Sequence, residues 1–96
     1  MSVETTLNDR NSVHGDYTEQ AAMGEAIRAV MQKGKHWTTL SAVQRDAMVM
    51  IAVKLSRILT GNPNYADHWH DVQGYARLAE REVIAHQPLP EKISVR

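Results

Sequence analysis

Ninety-six residues and 10.8 kDa make room for one compact domain and no more. Eleven basic and eleven acidic side chains leave no net charge, which excludes an overall basic DNA or RNA binder and a polybasic membrane anchor. The absence of cysteine removes disulfides, thiolate metal sites and thiol nucleophiles.

The apolar share is 43%, but eleven of these residues are alanine and phenylalanine is missing. A chain of this size hides only roughly 60–65% of its unfolded surface. Small side chains deepen that shortfall, so a homodimer or higher homo-oligomer is expected to supply the missing burial. The opening MSVETTLNDRN is polar and acidic and reads as neither signal nor transit peptide. The longest apolar run, Ala47 to Val53, is far too short for a membrane span. The expectation is a soluble, cytoplasmic protein with no membrane partner, folded over residues 1–87, with an extended tail over 88–96.

Val3 and Leu7 permit a short first helix that breaks near His14-Gly15. Asp16 caps the next helix, with Glu19 placed to return a bond to the cap's amide. Met23, Ile27, Val30 and Met31 then follow the spacing of one helical face. Gly34 is the natural stop, because glycine takes the left-handed position after a helix cheaply. In the connector, Lys33, Lys35, His36 and Trp37 form either a small phosphate-and-base grip or, with Trp37 folded back, a plug for a helical hairpin.

Ser41 and Gln44 fit a capping box for a long middle helix. Its stripe of Val43, Ala47, Met50, Ile51, Leu55 and Ile58 is widened by Met48, Ala52 and Leu59, which suits a helix touched on more than one side. Gly61-Asn62-Pro63 ends it. The last helix begins between Asn62 and Asp67, with Trp69, Val72, Ala76, Ala79 and Val83 as inner seam and Tyr75 and Leu78 beside them. Gln87-Pro88 closes it. No alternating strand pattern competes, so the fold class is all-α, a compact bundle of three to four helices completed by self-association.

Charge is unevenly spread. Residues 1–25 carry Glu4, Asp9, Asp16, Glu19 and Glu25 against Arg10, and residues 26–57 carry six bases against Asp46. Lys54 and Arg57, three apart, share a helical face suited to clamping phosphate, or to an ion pair with Asp71. On the last helix Asp67 and Asp71 are one turn apart. Together with His68 they offer ligands to a hard cation such as Mg²⁺ or Mn²⁺. In the alternative reading they merely favour the helix start and the histidines lie at the surface. Gly74, mid-helix, costs about 1 kcal/mol against alanine and implies close approach of a helix or ligand. No glycine-rich phosphate loop, nucleophile elbow or His-Glu-x-x-His is present.

Three blocks in this order, Arg10 to Tyr17, Ile51 to Leu59 and Asp67 to Ala76, resemble a family of small phage and prophage proteins of unknown function. Its pattern runs Arg-x-x-x-Tyr-Gly-Asp-Phe, Lys-x-x-Arg-Ile and Asp-x-Trp-x-Asp-Ile-x-Gly-Tyr-Ala, and covers about residues 7–80. His14 and Tyr17 stand where that pattern has Tyr and Phe. The family is in turn distantly similar to the MazG-like all-α nucleotide pyrophosphohydrolases, helical oligomers that hold Mg²⁺ on Glu-Glu-x-x-Glu and Glu-x-x-Asp motifs. Asp71 falls on the Asp of the second motif, but His68 replaces its Glu and the first motif has no counterpart. The resemblance therefore implies a helical scaffold with a nucleotide-sized, phosphate-preferring site, without hydrolysis.

On this reading Lys54 and Arg57 meet phosphate, Tyr75 or Trp69 stacks or walls the pocket, and Asp67 and Asp71 hold Mg²⁺ or orient Arg57. Arg10, His14 and Asp16 close over the same site. The expected role is binding a nucleotide or other phosphate-bearing small molecule, such as a host signalling nucleotide sequestered from a defence system. Two alternatives are a degenerate Mg-dependent pyrophosphohydrolase and an interaction protein that inhibits or adapts a host protein in the host cytoplasm.

Overall fold

Three short polar side chains open three of the helices. The Ser2 hydroxyl accepts the Thr5 amide at 3.1 Å, the Asp16 carboxylate accepts the Glu19 amide at 3.3 Å, and the Ser41 hydroxyl accepts the Gln44 amide at 3.1 Å. Gln44 completes a capping box by accepting the Ser41 amide at 2.9 Å. In the computed structural model, which describes residues 2–87, these caps start α1 (Val3–His14), α2 (Tyr17–Met31) and α3 (Ala42–Thr60). A 3₁₀ turn, Trp37–Thr39, precedes α3, and α4 (Ala66–Ala85) follows it without a side-chain cap. Among the described residues there is no strand, so the fold is all-α, with four helices. The tail expected over 88–96 lies outside the described residues.

As its broad stripe predicts, α3 is central and touches the other three helices. Ala47, Ala52 and Ser56 are buried along it, and such small side chains let neighbouring backbones close in. Ser56 faces Gly24 of α2, where an added Cβ would lie 3.6 Å from the serine hydroxyl. Among the described residues the buried apolar side chains are Ala47, Ala52 and Ile58 alone. Met48 and Leu59, expected to widen the buried stripe, remain exposed. The core is small.

Three expectations about faces and ends are corrected. First, α2 ends at Met31 with Gln32 in right-handed backbone, so Gly34 is not its stop. The left-handed glycine is Gly15, at φ +85°. Second, α2 turns Gln20, Gly24, Ile27 and Met31 inward, with Gly24 packed against Ser56, and leaves Met23 and Val30 exposed. Third, the seam of α4 runs through His68, Val72, Tyr75, Ala79 and Glu82, while Trp69, Ala76 and Val83 face outward. Polar partners turn it that way: His14 for His68, Lys54 for Asp71, and the Ser41 hydroxyl, which donates to Glu82 at 2.6 Å. Among the described residues nothing lies within 4 Å of a Cβ built on Gly74, whereas one built on Gly24 would meet the Ser56 side chain.

Two loops then cross. A Cβ on Gly15 would overlap the Thr60 carbonyl, and one on Gly61 would overlap the backbone of Val13 to Gly15. The Asn62 amide donates to the Val13 carbonyl at 3.0 Å. This crossing fastens the end of α1 onto the start of α4.

Candidate functional site

The crossing sets His14 against His68, with Nδ1 of the first 3.0 Å from Nε2 of the second. The Tyr65 ring lies edge-on to both, its centroid 6.0 Å from that of His14 and 4.9 Å from that of His68. His68 is 1% exposed. Burial is the first cause holding both imidazoles below their ordinary range. Neighbouring positive charge adds to it: Arg57, the protonated form of His68, Arg10 and Lys54 on His14, and Lys54 and Arg57 on His68. On His68, the Val13 backbone and Asp71 pull the other way. The pair is neutral, with one ring N–H donating to the other ring's lone pair.

One turn apart on α3, Lys54 and Arg57 both point toward this junction. Lys54 Nζ lies 2.9 Å from Asp71 Oδ2, with the lysine side chain 12% exposed and the aspartate 41%. That hydrogen bond is the main reason the Asp71 carboxyl sits below the usual carboxylate range. Arg57 fares differently. Burial first, and then Arg10, disfavour its charge, with Asp71, Tyr75 and Tyr17 opposing them. Its Nε is buried without a hydrogen-bond partner, and among the described residues it forms no ion pair. Asp71 thus faces both Lys54 and Arg57, and Lys54 has taken it.

Of the residues singled out in the sequence, Arg10, His14, Lys54, Arg57, Asp71 and Tyr75 converge here. The others do not. Asp16 is occupied as the α2 cap, and Asp67 is exposed without a polar partner among the described residues. Trp69 donates its indole N–H to the Pro63 carbonyl at 2.8 Å, outside the cluster. Tyr17 and Tyr65 were not expected here, and His68, expected as a cation ligand beside Asp67 and Asp71 or as a surface residue, is instead buried against His14. His68 carried a signal, since it lies four before Val72, seven before Tyr75 and eleven before Ala79, the spacing of one helical face.

A family model described as a domain of unknown function (DUF6378) matches residues 2–83. The chain belongs to this family. No curated protein and no solved structure matches it. The DUF6378 match spans α1 through nearly all of α4, so every member of the cluster lies within the domain.

The DUF6378 cluster does not fit a Mg²⁺ centre. Asp71 is engaged by Lys54, Asp67 stands apart, and among the described residues no three His, Asp or Glu side chains are grouped to hold a metal. Nor do the cations of α3 and the anions of α4 face each other across a hollow, since Lys54 and Asp71 close on one another. An open groove of about 820 Å³ lies further along the same hairpin and shares Tyr75 with the cluster. What the cluster offers is two guanidinium groups, Arg10 and Arg57, close enough to the His14 imidazole to lower its pKa, with the Tyr17 and Tyr75 phenols within electrostatic reach of Arg57.

Proposed function

We propose that this domain binds a phosphate-bearing small molecule, with a nucleotide as the favoured class, at the Arg10–His14–Arg57 cluster. The single observation that carries the reading is Arg57, whose half-buried guanidinium makes no ion pair among the described residues and has an unsatisfied Nε. Holding a charge partly out of water without a partner costs free energy, and an anionic ligand removes that cost. A guanidinium matches phosphate oxygens two at a time, which a lysine does not. Arg10 adds a second cation, and the neutral imidazole of His14 supplies either a donor or an acceptor. Tyr17, largely exposed, and Tyr75 supply flat apolar faces for a base.

Binding without turnover is the form the residues support, because the carboxylates that would hold a cation and activate water are not gathered here. The resemblance to phage and prophage proteins supports sequestration of a host nucleotide as the role. Isothermal titration with nucleoside triphosphates and cyclic dinucleotides, with and without Mg²⁺ and against inorganic phosphate, tests the reading. Saturable heat with a nucleotide, independent of Mg²⁺, is expected. No heat with any of them removes it.

A further inference from the structure

The groove between the start of α3 and the end of α4 has an apolar floor and charged edges. Val43, Leu78 and Ile84 line it, and Leu78 and Ile84 remain 51% and 62% exposed. Asp46 and Arg81 stand on the same groove with opposite charges, and among the described residues neither makes an ion pair. Gly74, Leu78, Arg81 and Ala85 follow a 4-3-4 spacing and so form one stripe along α4. Gly74 has no neighbour within 4 Å of a built Cβ, although glycine weakens a helix interior. A glycine that no other described residue approaches, on a stripe that borders an apolar groove, is suited to a helix arriving from outside.

We propose that this groove is the contact between two copies of the chain. Each copy lays the α4 stripe along the other's α3–α4 groove, and Asp46 pairs with the partner's Arg81. A two-fold axis makes every such contact twice, so a face on which Asp46, Arg81 and the hydroxyl-bonded Glu82 make no ion pair among the described residues is complementary to a copy of itself. A foreign helix would need to bring that charge pattern independently, whereas a second copy already has it. The two hairpins then enclose one four-helix core, adding apolar contacts to the few buried apolar side chains among the described residues of each chain. The inference does not depend on the anion-binding reading, because Arg57 and the histidine pair do not line the groove.

Sedimentation equilibrium on the full chain, from about 1 to 100 µM, tests it. The expected mass is twice the 10.8 kDa of the chain. Asp46→Arg and Arg81→Asp are each expected to weaken the dimer about tenfold or more, since each sets like charges together across the axis. The double variant, which restores opposite charges, is expected to recover most of the loss. Circular dichroism on each variant separates weakened association from lost helix. A chain that stays at its single mass throughout overturns the proposal. So does a dimer indifferent to both single reversals, or a double variant no better than either.

Discussion

His14 Nδ1 and His68 Nε2, 3.0 Å apart, join the last residue of α1 to the first turn of α4 across fifty-four residues of chain. Because burial and the cations Lys54 and Arg57 depress both imidazoles, with Arg10 adding to the effect on His14 and the Val13 backbone and Asp71 opposing it on His68, the folded state holds fewer protons than the unfolded chain just below the ordinary value of 6.5. Stability therefore rises with pH through this region and levels off above about 6.5. Acidification from pH 7 to 5 is expected to lower the urea midpoint and to loosen α1 first. Hydrogen exchange of the α1 amides against those of α3 reads this, and equal loss in both helices would contradict it.

The crossing of the two glycine loops predicts opposite outcomes for two alanine substitutions. Gly15→Ala places a side chain at positive φ against the Thr60 backbone, and is expected to cost more than about 1 kcal/mol. Gly74→Ala meets open space on a helix and is expected to gain about 0.5–1 kcal/mol in dilute, monomeric chain. Urea unfolding of the two variants side by side distinguishes them.

A core this small makes single apolar truncations expensive at few places. Ile58→Ala removes the largest of the three buried apolar side chains, and is expected to cost about 2–5 kcal/mol. Val30→Ala, on the exposed face of α2, is expected to stay within about 0.5 kcal/mol. Comparable losses in both would mean that α2 is packed on its other side.

The helices and their order were legible in the residues, and so were the Asp16 and Ser41 caps, because capping chemistry and apolar spacing are local. The faces were less so. A seam drawn through Trp69, Ala76 and Val83 uses apolarity alone, yet α4 turns toward His68, Asp71 and Glu82 because distant polar partners await each of them. Gly24 and Gly74 carry the same local signal. Only the position of Ser56, thirty-two residues further on, decides which of them meets a helix within the chain. Arg10, His14, Lys54, Arg57, Asp71 and Tyr75 could be picked out as polar groups on otherwise apolar helices. That Lys54 rather than Arg57 takes Asp71 depends on side-chain reach in three dimensions, which no spacing encodes.

Arg57 is expected to trade stability for binding. Arg57→Met keeps the packing of the side-chain stem while removing a charge that burial and Arg10 both disfavour, so the melting temperature is expected to hold or rise. Arg57→Lys keeps the charge and loses the fork, so it is expected to weaken phosphate binding without abolishing it. Thermal denaturation and titration on the same preparations read both effects.

Titration calorimetry of the wild-type chain and Arg57→Met with the same nucleotide tests the central claim most directly. The wild type is expected to give saturable heat that the variant loses, at a melting temperature no lower than the wild type's. Equal heat in the two proteins, or none in the wild type, would contradict an anion site built on Arg57.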